Sequence, residues 1–291
     1  MAESNNLRDR TSGGHLTDAD YLDAHFEAMR PEYEQMLHQV GIAPGWTVFD
    51  AGCGGGSYLP LLAELVGASG RIVASDVAAE NVRQVSHRIQ NLKFICPVDV
   101  CVANVVALPF ADASFDALWC AAVTQYLSDA EVRMTFREFK RVVKPGGLIA
   151  IKEADFTGFQ FGPFSTTAIL RCLTEMSARV GTDVVQGYAI NPRGTVRSTE
   201  FAAMLRALGL ERIASRTVLC ERRHPLTSAE RRFCRSVFSL MGELNPHLNL
   251  PDTEKEQWRA LKHVDSPRHI LHSEAFFYRE LHNVTIGRVP A

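Results

Sequence analysis

The sequence predicts an α/β fold, a mostly parallel sheet with helices on both faces. Two observations predict it. Short apolar runs at residues 47–49, 71–75, 98–103, 117–120 and 148–152 alternate with stretches of helical periodicity, the pattern of successive strand–helix units. A glycine-rich turn, Gly52-Cys53-Gly54-Gly55-Gly56, follows the first of those runs directly. A chain of 291 residues, 46% hydrophobic, is long enough for one such core with additions.

The elements follow in order. Residues 1–16 are polar and include Thr11-Ser12-Gly13-Gly14, so disorder is expected there. Residues 17–44 read as lead-in helices: Tyr21, Leu22, His25, Phe26, Met29 and Tyr33 recur at helical spacing, and Pro31 predicts a break into a second helix. Residues 45–155 form the core, with helices expected at 57–66 and 79–89. Ser128-x-x-Glu131 is a capping box that opens a helix ending near Lys144, and Pro145-Gly146-Gly147 stops it. Beyond the fifth strand, residues 156–291 are expected to hold an aromatic, glycine-containing loop (156–164) and helices at 166–180 and 198–208. A strand at 212–220, inserted helices at 229–244 and 253–262, and a last strand at 276–289 complete the reading.

Composition excludes several classes. A formal net charge of −2 argues against nucleic acid, which wants a basic surface. The 7 cysteines are odd in number and form no Cys-x-x-Cys pair, as expected for a reducing cytoplasm. The first twenty residues lack the apolar stretch of a secretion signal, and no apolar run is long enough to span a bilayer. His269, His272 and Glu274 lie close in sequence but lack a recognisable zinc-site spacing, so no metal is expected.

The strongest local signal is Asp50-Ala51-Gly52-Cys53-Gly54-Gly55-Gly56 after Thr47-Val48-Phe49. Here a strand must turn into a helix while its backbone approaches a ligand. Glycine supplies both the dihedral freedom and the clearance, and amides at the helix start suit a carboxylate. A dinucleotide fingerprint counted from Gly52 would need glycine at Ser57. The pattern instead resembles motif I of class I methyltransferases, which bind S-adenosylmethionine (SAM). Asp76, ending the second strand, is then the carboxylate for the ribose hydroxyls. The segment from Asn104 to Phe110 with Ser114-Phe115-Asp116, and Val142-Val143-Lys144-Pro145-Gly146-Gly147-Leu148, are similar to those of ubiquinone/menaquinone-type methyltransferases. That family usually has Asp where this chain has Asn104, whose amide carbonyl can still accept from an adenine amino group.

The resemblance implies a Rossmann-like sheet of seven strands in the order 3-2-1-4-5-7-6, with the last strand antiparallel. Its implied cofactor set is Tyr21, Asp50, Gly52, Cys53, Gly54, Gly56, Asp76, Val77, Asn104, Val105 and Cys120. Methyl transfer needs an aligned nucleophile and exclusion of water, with a base only if the nucleophile must lose a proton. Glu153, following the apolar strand 148–151, is expected to face the cleft as a catalytic carboxylate, and Tyr21 is the second catalytic candidate. Gln125, Asp155, Phe156, Phe159, Phe161, Phe164, Tyr188 and Phe238 are expected to wall an apolar acceptor pocket, whose rings could also stabilise a cation.

The lead-in helix with Tyr21 resembles that of bacterial natural-product methyltransferase-cyclases of the teleocidin type, which C-methylate a prenylated indole alkaloid and close a ring. The resemblance implies that Tyr21 anchors this helix over SAM, in a homo-oligomer that could exchange the helix between subunits. O- or N-methylation of a natural product or quinone, and SAM binding without methyl transfer, as in a cyclase or a regulatory module, stay open at this point.

Overall fold

A computed structural model describes residues 19–178 and 196–291; the expected disorder at 1–16 and the expected pocket residue Tyr188 lie outside them. The lead-in comprises α1 (Ala19–Ala28) and α2 (Arg30–His38), separated at Met29 with Pro31 in the first turn of α2, where a missing N–H costs nothing. Strands β1 (Thr47–Ala51), β2 (Arg71–Asp76), β3 (Val98–Val102), β4 (Phe115–Ala121) and β5 (Val143–Gly162) follow. Between them run α3 (Leu59–Val66), α4 (Ala79–Asn91) and α5 (Asp129–Val142). Next come α6 (Thr166–Ala178), α7 (Phe201–Ala207), β6 (Glu211–Arg223), α8 (Ser228–Leu244), α9 (Asp252–Ala260) and β7 (Phe277–Arg288).

The seven strands form one sheet in the order β3-β2-β1-β4-β5-β7-β6. β1 to β5 pair in parallel, and β7 runs antiparallel to both β5 and β6. The expected order and edge hairpin are therefore present, with α8 and α9 inserted between β6 and β7. The Ser128–Glu131 capping box is also formed in both directions, and α5 ends at Val142, slightly earlier than expected.

Period-2 alternation splits the core. Val48, Ile72, Ala117, Trp119, Leu148 and Ala150 pack on one face with α1, α2, α3 and α8. Phe49, Leu118, Cys120, Ile149 and Ile151 pack on the other with α5 and α7. Burying each of the larger aliphatic and aromatic side chains contributes about 1.5–3 kcal/mol, so alternate residues of one strand commit to opposite layers.

One expectation is corrected. Residues 156–164 are not simply a loop: β5 continues to Gly162 and pairs again with β7 from Gln160 to Gly162 after a register shift between Asp155 and Gln160. Aromatic residues favour that extended, half-buried surface, while the bulged stretch carries Phe156 and Phe159. Among the described residues no helix is long and apolar enough to cross a membrane.

Candidate active site

A continuous cleft of about 2030 Å³, its open mouth included, lies over the carboxyl ends of the parallel strands, where open α/β sheets bind ligands. At one end stands the glycine loop. Gly52, Gly54 and Gly56 have φ of +77°, +53° and +78°, which side-chain-bearing residues rarely adopt. A Cβ on Gly52 would fall 2.3 Å from Val123 Cγ2, so the turn is closed to larger residues. Its amide donates to Ser75 O (2.8 Å), tying the loop to β2.

Asp50 lines this end and is 2% exposed. Its Oδ2 is buried without a hydrogen-bond partner, and burial, then the nearby Asp76, pushes its carboxyl up to about 7. A buried acceptor without a donor is costly. An ammonium such as that of SAM would satisfy it, and the open glycine loop leaves the backbone free to meet the same ligand.

Asp76 accepts from Gly54 N (3.0 Å) through Oδ2, and from Ala78 N (2.9 Å) and Asn81 Nδ2 (3.2 Å) through Oδ1. Burial raises its pKa and these donors oppose the rise. A carboxylate has four lone-pair sites, so capacity for ribose hydroxyls remains. Asn104 lines the cleft, but its Oδ1 already accepts from Val106 N (3.1 Å); an adenine amino group would share that oxygen. Cys53, Val77 and Val105 also line the cleft.

Two residues of the expected cofactor set fall elsewhere. Cys120 is fully buried on the opposite face of the sheet, because it shares its parity with Leu118. Gly56 does not line the cleft; a Cβ there would meet Leu59 and Val85, so its role is close packing of the loop on α3 and α4.

The lead-in helix closes over this end. Tyr21 lines the cleft. Asp23 accepts from Ser57 Oγ (2.7 Å) and Arg88 Nη2 (2.5 Å), clamping α1 to the glycine loop and α4. α1 also packs on α8 of the same chain through Tyr21 and His25 against Phe233.

The other end of the cleft is an aromatic and aliphatic chamber. Phe156, Phe159, Gln125 and Asp155 line it as expected, together with Trp258, Tyr278, Ile169 and Leu240. Phe161, Phe164 and Phe238 are not among its lining residues; they pack on one another and on Trp258 behind it.

Glu153 is corrected by one step of the strand. It is 0% exposed and shares the face of Ile149 and Ile151, turned away from the cleft. Its Oε2 accepts from Thr124 Oγ1 (2.5 Å) and Gln125 N (3.1 Å), so it positions the turn after β4. Burial raises its pKa.

Lys152, its neighbour, takes the cleft face instead. It stands on the face of Leu148 and Ala150, in register with Ala121 and Val284. Glu280, His282 and Tyr278 on β7 share that face, and His25 and Tyr33 descend from α1 and α2. Both imidazoles place Nε2 2.7 Å from Glu280 Oε1. Tyr33 donates to the same oxygen (3.3 Å) and Tyr278 to Oε2 (2.8 Å). Burial opposes ionisation of Glu280, but the two histidines hold it well below the usual carboxylate range. Burial, then the Lys152 cation, pulls His282 down to about 4. The atoms of His25, Glu280 and His282 lie within 4.8 Å of one another. Glu280 Oε1 itself occupies the point on which both rings converge, at hydrogen-bond lengths, and we read the group as a proton network.

Sequence reasoning missed Lys152, Glu280, His282, His25 and Tyr33. One signal was available: the strand Leu148-Ile149-Ala150-Ile151-Lys152 ends in a lysine, and only strand parity decides whether Lys152 or Glu153 meets the cleft.

Comparison with known proteins agrees with this geometry. Residues 49–151 match the family model described as a methyltransferase domain. The methyltransferase GfsG of Streptomyces halstedii is 29% identical over 145 residues, 50% of this chain and 51% of that protein. The ubiquinone/menaquinone biosynthesis C-methyltransferase UbiE of Stenotrophomonas maltophilia is 32% identical over 175 residues, 59% of this chain and 68% of that protein. The chain spans about half or less of the first curated relatives it matches. Among solved structures, YcgJ of Bacillus subtilis matches with a TM-score of 0.54 at 16% identity, over 88% of this chain and 97% of that one. Phosphoethanolamine N-methyltransferase 2 of Haemonchus contortus, solved with SAM, matches with 0.58 at 13% identity, over 98% of this chain and 60% of that one. These two likenesses show a shared fold. On the glycine loop, the strand order and the span matched to UbiE, the chain belongs to the class I SAM-dependent methyltransferases.

Proposed function

We propose that the chain methylates a small, largely apolar acceptor held in the aromatic chamber. The observation that carries this reading is the continuity of the cleft, from the unpartnered carboxylate of Asp50 to the walls formed by Phe156, Phe159, Trp258 and Tyr278. SAM, when bound, supplies a methyl group already activated on a sulfonium. The chain's own work is then alignment and exclusion of water. Asp50, Asp76 and the glycine loop hold the cofactor end, α1 with Tyr21 covers it, and the chamber orients the acceptor.

Within this reading, C-methylation of a prenyl alkene with ring closure suits the aromatic wall, because ring faces stabilise a cation. The relative named a C-methyltransferase lends support to carbon. Methylation at oxygen is favoured by a different observation, the polar cluster around Glu280 beside the chamber. Exchange of α1 between two subunits would reuse its contacts with α8.

The test is incubation with methyl-labelled SAM and a panel of prenylated indoles, phenols and quinones, with the label located by mass spectrometry. Label on a former alkene carbon with a new ring supports the methyltransferase-cyclase chemistry. Label on oxygen or nitrogen supports a tailoring methyltransferase. SAM binding with no transfer to any acceptor overturns both.

A further inference from the structure

Lys152 is only 3% exposed, yet it lines the cleft. Among the described residues its ammonium forms no hydrogen bond, and no carboxylate oxygen lies within ion-pair distance. It stands over the ring face of Tyr33, with Nζ 3.9 Å from the centroid. An ammonium has three donors to satisfy, and in so enclosed a position a molecule within the cleft, water or acceptor, has to meet them. The nearby carboxylates do not answer the need. Glu280 is spent on His25, His282, Tyr33 and Tyr278. Glu153 faces the other side of the sheet, on Thr124 and Gln125.

The position is also where an acceptor must sit. One row of the sheet runs from Asp50 through Trp119 to Ala150. Lys152 stands on the same face two residues beyond Ala150, with Ala154 and His282 next along β5 and β7. It therefore lies between the cofactor end and the aromatic chamber.

We propose that Lys152 is the acceptor-binding residue of this cleft, its ammonium holding the oxygen of a phenol or enol that binds as the oxyanion. The inference rests on the methyl-transfer reading and narrows it to acceptors with an acidic hydroxyl. The hydroxyl proton leaves to solvent on binding, past His25, the cluster's part-exposed member (21%). The titratable groups around Lys152 are Glu280 and His282 on β7, His25 on α1, Tyr33 on α2, Cys220 on β6 and, from the far face of β5, Glu153; burial lowers the Lys152 pKa and the two glutamates oppose the fall. A phenolate would add an anion within hydrogen-bond reach of the ammonium, which none of these supplies. An oxyanion so held is a better nucleophile than the neutral hydroxyl, and the flat walls of Phe159 and Tyr278 suit its ring.

The test uses the full chain loaded with S-adenosylhomocysteine (SAH) and the chromogenic probe 4-nitrophenol, whose phenolate and phenol differ in absorbance. The apparent pKa of the bound probe should fall by about one unit or more, as for an acid beside an opposite charge. Lys152→Met should abolish that shift and weaken probe binding at least ~tenfold, with SAH affinity unchanged, and Lys152→Arg should keep the shift. The methyl ether 4-nitroanisole should bind less tightly than the phenol.

Three results overturn the proposal. One is a Lys152→Met protein that ionises the probe as the wild type does. Another is a wild type that holds SAH but leaves the probe neutral or unbound. The third is tighter binding of 4-nitrobenzoate, which would make the site one for carboxylates. If Lys152→Met fails to fold, the wild-type shift and the ether comparison still decide. Failure of the wild type to bind SAH at all would instead sink the methyl-transfer reading.

Discussion

Asp50→Asn should make the ligand-free protein more stable at neutral and alkaline pH while weakening the cofactor site. Burial and Asp76 raise the Asp50 carboxyl from an ordinary 3.8 to about 7. A raised acid leaves stability undiminished below its unfolded value, and the loss grows as pH rises through the folded value. Asp50 therefore withdraws nothing below about pH 3.8. It then withdraws about 1.4 kcal/mol per pH unit, reaching ~4 kcal/mol in all above pH 7. The amide has the same shape and does not ionise. Its nitrogen, placed where Oδ2 now lacks a partner, costs about 1–3 kcal/mol. The variant should thus exceed the wild type by roughly 1–3 kcal/mol near pH 8.

The advantage should grow by ~3 kcal/mol between about pH 5 and pH 8. Urea unfolding of both proteins across that range, without ligand, measures it. Wild-type affinity for SAH should rise over the same interval as the carboxylate ionises, and the Asn variant should show no such rise. A variant-minus-wild-type difference that stays flat with pH would refute the reasoning, since it would mean that Asp50 is not the buried, raised acid described.

Other outcomes follow from the same geometry. Gly52→Ala places a methyl 2.3 Å from Val123 Cγ2 at φ +77°, so stability should fall by about 2–4 kcal/mol. Adding Val123→Ala should restore only the steric part, as a double-mutant cycle on thermal unfolding would measure. Glu153→Gln should keep turnover within about tenfold and stability within ~1 kcal/mol, because the amide can still accept from Thr124, whereas a catalytic carboxylate would lose far more. Arg197 is 0% exposed, donates to Leu127 O (2.9 Å) and pairs with Asp129; Arg197→Met should destabilise by roughly 3–5 kcal/mol in urea titration. Asp23→Ala unclamps α1 from Ser57 and Arg88, and calorimetry should find SAH affinity lowered about fivefold; Tyr21→Phe, which leaves that clamp in place, should lower it less.

Much of the fold was legible because parallel strands, capping boxes and glycine turns are local signals. The strand order came with the resemblance. The glycine-loop end of the cleft was legible for the same reason: Asp50, the glycines and Asp76 sit at fixed offsets from two strand ends. The acceptor end was not. Whether Glu153 or Lys152 meets the cleft depends on which face α1 and α2 cover, and Glu280 and His282 reach Lys152 only through the pairing of β7 with β5, across more than a hundred residues of chain. Residues 156–164 misled for a related reason. Their strand character depends on that same partner, and the glycines around the aromatics read locally as a turn. Phe161, Phe164 and Phe238 could not be told from chamber residues by type, since core and pocket use the same side chains.

A crystal structure of the full chain with SAH is the most direct test. The amino-acid moiety of SAH should lie at Asp50 and the Gly52–Gly54 backbone and the ribose at Asp76, with open space beside Lys152 in the aromatic chamber. SAH bound away from Asp50 and Asp76, or filling the chamber against Phe159 and Tyr278, would contradict that arrangement.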